Sequence, residues 1–108
     1  MKLPADTAIA RKKLTHFLLM WRDEDDKSAF LAKAGYSPDH ADELEKDLRT
    51  QLLPSDAEFL DRGEYGEKYV IRGRLKGPNG RGLRVVSIWM IENAGGAAKF
   101  VTLYPDKT

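Results

Sequence analysis

The side chains that could do chemistry in this chain gather in its second half. Lys68, Arg72 and Arg74 are cations at even spacing, Ser87 and Thr102 carry hydroxyls, and Trp89, Phe100 and Tyr104 are aromatic. Cations hold phosphate, hydroxyls donate hydrogen bonds and flat rings stack on bases, so this set has the side-chain types of single-stranded RNA recognition. The plainer alternative is that a loop, the N-terminal segment or a second copy of the chain covers Trp89 and Phe100, with the cations merely rimming them. The means of moving protons are scarce. His16 lies between Leu14 and Phe17 and points away from an apolar helical stripe, and His40 falls in the first turn of a helix. Tyr and Lys can transfer protons, but with ordinary pKa values near ~10 they need local activation.

Other chemistries find less support. The chain has no Cys, which excludes a disulfide scaffold, a thiolate metal centre and a Cys nucleophile. The acidic run Asp23 to Asp26 lacks the spaced oxygen ligands and the Gly of a calcium loop. His40-Ala41-Asp42-Glu43 has one His where a zinc-protease helix needs two. The stretch from Gly77 to Gly82 is rich in glycine, but it joins two strands and opens no helix, which argues against a nucleotide-phosphate loop. No nucleophile elbow appears. Neither a metal nor another cofactor is expected.

The 108 residues carry 18 Lys+Arg against 17 Asp+Glu, a net charge of +1 that hides an asymmetry. Residues 1–61 hold 9 basic and 13 acidic side chains, whereas residues 62–108 hold 9 basic and 4 acidic ones. An anionic partner would therefore be sought on the second half. The plainer alternative is a sheet that uses Lys and Arg for solubility and to discourage edge pairing. The longest apolar run, Phe17 to Trp21, is far short of the ~20 residues that span a bilayer, and no signal segment opens the chain. A single soluble domain in the cytoplasm, with no membrane partner, is the expectation.

The elements that must position these side chains follow from periodicity. Leu14, Phe17, Leu18 and Trp21 recur at helical spacing and predict a helix that starts between Thr7 and Arg11 and ends near Trp21. A second short helix, Lys27 to Ala34, buries Phe30 and Leu31 and stops at Gly35. Ser37-Pro38 reads as an N-cap followed by Pro at the first helical position, opening a third helix with the stripe Ala41, Leu44, Leu48 and Leu52. The period then changes to two, with glycine-rich breaks at 63–66, 77–80 and 95–96, and predicts strands near 58–62, 67–76, 82–92 and 98–104. Helices first and strands after argue for an α+β fold, three N-terminal helices (residues 1–53) on one face of a four-stranded antiparallel meander (residues 57–105).

Turn parity decides which side chains share a face. A tight turn on Pro78-Asn79 or on Asn79-Gly80 has an even loop length, whereas a three-residue loop would flip every side chain. The even reading groups Tyr69, Ile71 and Leu75 with Val86, Ile88 and Met90 over the helices. With a two- or four-residue loop around Gly95-Gly96, Val101 and Leu103 join them. Lys68, Arg72, Arg74, Ser87, Trp89, Phe100, Thr102 and Tyr104 then form the open face.

The string Tyr65-Gly66-x-Lys68-Tyr69-Val70-Ile71-x-Gly73-x-Leu75-x-Gly77-Pro78-Asn79-Gly80-Arg81 resembles an uncharacterised bacterial family, domain of unknown function family 6883. So do Val86-Ser87-Ile88-Trp89, Val101-Thr102-Leu103-Tyr104-Pro105, the opening Leu3-Pro4 and Lys27-x-x-Phe30-Leu31-x-x-x-Gly35-Tyr36. The family carries no assigned activity. In its pattern basic residues and often a His precede the Lys of the second helix, where this chain has Asp25 and Asp26. More distantly, helices followed by a four-stranded antiparallel sheet that ends in a Thr-x-Tyr-Pro strand resemble the barnase, EndoU, colicin and RelE-like ribonuclease toxin fold. That resemblance implies metal-independent endoribonuclease chemistry, in which the ribose 2′-hydroxyl attacks the adjacent phosphorus. Arg72 and Arg74 would stabilise the phosphorane, Thr102 with Ser87 would position the phosphate, Tyr104 or a His would move protons, and Trp89 would stack a base. The partners so implied are RNA and an immunity protein or antitoxin. The alternative is a non-catalytic module or homodimer that associates through Trp89 and Phe100.

Overall fold

The computed structural model describes residues 1–19 and 27–107, and of Phe17 the backbone. The side chain of Phe17, Trp21 and the acidic run Asp23 to Asp26 lie outside the described residues. The architecture is the expected α+β one: helical segments precede a four-stranded antiparallel sheet in the order β1 (Glu58–Arg62), β2 (Gly66–Lys76), β3 (Gly82–Glu92) and β4 (Ala98–Pro105). Among the described residues, no helix is long and apolar enough to cross a membrane.

The first helix turns from Arg11 and continues through Lys13–Leu18 in wide turns, with the Leu19 N–H donating to the Leu14 carbonyl at 2.9 Å. Thr7 does not cap it; its hydroxyl donates to the Pro4 carbonyl at 2.6 Å. The second helix, Ser28–Ala32, is closed by Gly35 at φ 92°, and the Tyr36 N–H reaches back to the Leu31 carbonyl at 3.3 Å. Only glycine holds that left-handed geometry without strain. The third helical run comprises Pro38–His40, Ala41–Asp47 and Leu48–Leu52. His40, in the first turn as expected, has a capping role: the Ser37 N–H donates to its Nδ1 at 3.1 Å. Pro54 follows and cannot extend the helix.

Leu14, Leu18, Leu31, Leu44, Leu48 and Leu52 pack beneath Ile71, Leu75, Val85 and Leu103, all of them buried in one core. Gly73 lets the third helix approach β2 closely, since a Cβ there would stand 2.9 Å from Leu52 Cδ2. Val70, Val86 and Ile88 form a second, smaller cluster with Val101.

The sheet departs from the expected faces at two points. Lys76 pairs with Gly82, and the Gly77 N–H donates to the Arg81 carbonyl at 3.0 Å, so Pro78, Asn79 and Gly80 make a three-residue loop. The turn is centred on Pro78-Asn79 as expected, but Gly80 at φ 87° adds one left-handed residue and makes the loop odd. The loop docks on the second helix: the Asn79 N–H donates to the Ala34 carbonyl at 3.2 Å and its side-chain amide to Lys33 at 3.0 Å. Every β3 side chain is thereby reversed relative to β2. The last hairpin has the four-residue loop foreseen around Gly95-Gly96, the Glu92 N–H donating to the Ala97 carbonyl at 2.9 Å. Phe100 faces Trp89, but the β3–β4 register then shifts between Ile88 and Trp89. This bulge reverses Thr102, Leu103 and Tyr104 in turn.

Candidate nucleic-acid interface

The two reversals cancel for the end of β4. Arg72 and Tyr104 flank Val86 from either side, Val70 and Thr102 flank Ile88, Arg74 stands opposite Arg84, and Lys68 stands opposite Met90. Lys68, Arg72, Arg74, Thr102 and Tyr104 therefore do share the face turned from the main core. Ser87, Trp89 and Phe100 do not. Trp89 is opposite Tyr69 on the helix side, wholly buried and edge-on to Phe100 with ring centroids 5.1 Å apart. Its indole N–H donates to Ser87 Oγ at 2.8 Å, and the Ser87 hydroxyl donates to the Ile71 carbonyl at 2.7 Å. Both polar groups are satisfied inside the core, where neither a base nor a phosphate can reach them. Phe100 is buried beside Trp89, so neither ring is presented at the surface.

Two residues that sequence reasoning passed over complete the site. Arg84, placed on neither face by the sequence, is exposed beside Arg74. Asp106 continues the alternation of Thr102 and Tyr104, which was the available signal for it. Its N–H donates to the Arg84 carbonyl at 2.9 Å, which folds the chain after β4 against β3. Its carboxylate lies 3.8 Å from the Arg72 guanidinium with a side chain only 8% exposed. Arg72, Arg74, Arg84 and Asp106 line an open cavity of about 440 Å³. Three guanidinium groups there meet one carboxylate, so the cavity is cationic.

The remaining expected residues stand at its margins. Tyr104 is 41% exposed, one strand across from Arg72 through Val86. Thr102 is half-buried and its Oγ1 accepts from Lys27 Nζ at 2.9 Å, so the start of the second helix engages it. Lys68 lies four residues along β2 from Arg72, roughly 13 Å away at strand spacing. The two histidines are elsewhere: His40 caps the start of the third helical run, and the exposed His16 has its Nδ1 2.8 Å from Thr15 Oγ1 on the first helix.

An α+β domain with its helices on one side of an antiparallel meander and an arginine-lined cavity on the other is the class that fold and site define. The chain belongs to the family described as domain of unknown function (DUF6883), which it matches over residues 2–107. No curated protein and no solved structure matches it.

Proposed function

We propose that the open face binds the phosphodiester backbone of single-stranded RNA and cleaves it, with arginines supplying the positive charge. The direct opposition of Arg74 and Arg84 across β2 and β3 carries this reading. Like charges placed opposite one another destabilise a sheet. A phosphate relieves that repulsion, because its oxygens accept from several guanidinium groups at once. The order of helices and strands and the Thr102-x-Tyr104-Pro105 ending support a ribonuclease-toxin relationship by analogy of fold.

In this reading the ribose 2′-oxygen attacks phosphorus. Its proton passes to the Asp106 carboxylate as the O2′–P bond forms. The P–O5′ bond breaks and the departing 5′-oxygen takes a proton from Tyr104, leaving a 2′,3′-cyclic phosphate and a 5′-hydroxyl. Water then takes the proton from Asp106 and returns one to Tyr104. Arg72, Arg74 and Arg84 stabilise the charge that accumulates on the phosphorane. Asp106 also holds Arg72 toward the cavity through the ion pair at 3.8 Å.

The test is incubation of a labelled single-stranded oligoribonucleotide with the protein in the presence of EDTA. Cleavage to cyclic-phosphate ends is expected, and its loss in Arg84→Ala and Tyr104→Phe. RNA left intact by folded wild-type protein at high concentration overturns the catalytic reading.

A further inference from the structure

We infer that Arg74, seated over Gly82, is shared between two adjoining phosphate subsites, so that the face prefers a strand presenting two consecutive phosphates over one presenting a single phosphate. The inference rests on the RNA reading for the identity of its ligand. A second open cavity of about 330 Å³, lined by Arg74, Lys76, Gly80 and Gly82, adjoins the one described above, and Arg74 lines both. Arg72, Arg74 and Lys76 alternate on the same face of β2, so their Cα atoms are spaced by roughly 6.6 Å. That spacing is comparable to the separation of neighbouring phosphates in an extended strand.

Gly82 makes the sharing possible. A Cβ at this position would overlap Nε of Arg74 and stand 3.0 Å from its Cγ and Cδ, so the arginine stem occupies the space that a side chain would take. Gly80 leaves the neighbouring surface uncovered, with nothing within 4 Å of where its Cβ would be. Lys76 is anchored through its main chain. Its N–H donates to Gln51 Oε1 at 2.7 Å, and its carbonyl accepts from Gln51 Nε2 at 2.9 Å. The exposed ammonium group can then serve the second cavity while the third helix holds the backbone in place.

The groups displaced by a methyl at Gly82 belong to a flexible side chain. Gly82→Ala therefore moves Arg74 with no loss of charge and at little cost to the fold. Binding is measured by NMR titration with 2′-O-methylated UpU and UpUpU, which present one and two phosphates and cannot be cleaved. At 50 mM salt the second phosphate is expected to tighten wild-type binding about eightfold through counterion release. In Lys76→Ala and Gly82→Ala that gain falls below about twofold while UpU still binds. If wild-type protein binds UpU and shows no gain, or if both variants keep the full gain, the two-subsite inference is overturned and the RNA reading stands. If wild-type protein binds neither oligonucleotide, both fall. Should Gly82→Ala fail to fold, Lys76→Ala carries the comparison.

Discussion

The two faces of the sheet are built from the same four strands, yet they solve opposite physical problems. On the helix side the central groups are matched: Trp89 packs on Phe100, its indole donates to Ser87, and Ser87 donates to Ile71. On the open side Arg74 and Arg84 face each other, with Arg72 beside them and one carboxylate, Asp106, lining the cavity they share. The first face spends its interactions on stability. The second leaves like charges opposed, a cost that binding an anion can recover. Ser, Trp and Phe looked functional by residue type, but a polar or aromatic side chain serves a ligand only from a face that a ligand can reach.

Substitutions on the two faces should break this contrast in opposite ways. The largest stability effect is expected at Trp89. Trp89→Ala empties the centre of the core and should cost about 3–5 kcal/mol in unfolding free energy, read by urea denaturation. Arg84→Ala should instead leave stability near the wild-type value and lower RNA cleavage by about 10²–10³-fold, as removal of one charge-stabilising donor does. A cleavage rate unchanged in that variant would remove the functional distinction between the faces.

Ser87→Ala is a smaller probe of the matched side. It leaves the buried Trp89 N–H without its acceptor and should cost about 1–3 kcal/mol, with no effect on oligonucleotide affinity beyond that on folding. Loss of RNA binding in a fully folded Ser87→Ala protein would contradict its assignment to the core.

Tyr36 sharpens the contrast through pH. Burial raises its pKa well above the usual tyrosine value, and its hydroxyl, which donates to Asp47 at 2.5 Å, adds to the shift. A tyrosine whose folded pKa lies above the unfolded one near ~10 contributes fully below that pH, and its contribution is lost as the pH rises through the folded value. Wild-type stability should therefore fall above pH ~10 by about 1.4 kcal/mol per pH unit from this group, a decline that Tyr36→Phe removes. The smallest effect is expected for Arg84→Gln, which relieves the opposition to Arg74 and should raise stability by a few tenths of a kcal/mol in thermal melts at low salt.

Much of the fold was legible because it rests on short-range rules. The Ser37-Pro38 start, the stripe Ala41, Leu44, Leu48 and Leu52, and the glycine breaks mark the third helix and the four strands to within a residue or two. The site was legible in part, and by a route that the structure revises. Arg72, Arg74, Thr102 and Tyr104 were grouped by assuming an even turn and an unbroken last strand. The turn is odd and the strand is bulged, and the two reversals cancel for those residues. They do not cancel for Ser87, Trp89 and Phe100, which lie between the turn and the bulge and pass to the core. The same reversal brings Arg84 into the site.

Residue types and their periods specify the elements, their order, the concentration of positive charge in the second half and the even spacing of Arg72 and Arg74 on one strand. Those properties depend on side-chain type and on periods of two or 3.6 residues, which are local. Which strands turn their cations to the same side, and what lies beneath them, is set by long-range pairing. Face assignment depends on single-residue events: one left-handed glycine at Gly80, held by the docking of Asn79 on the second helix, and one extra residue in β4. Because side chains alternate with a period of two, each such event reverses everything beyond it.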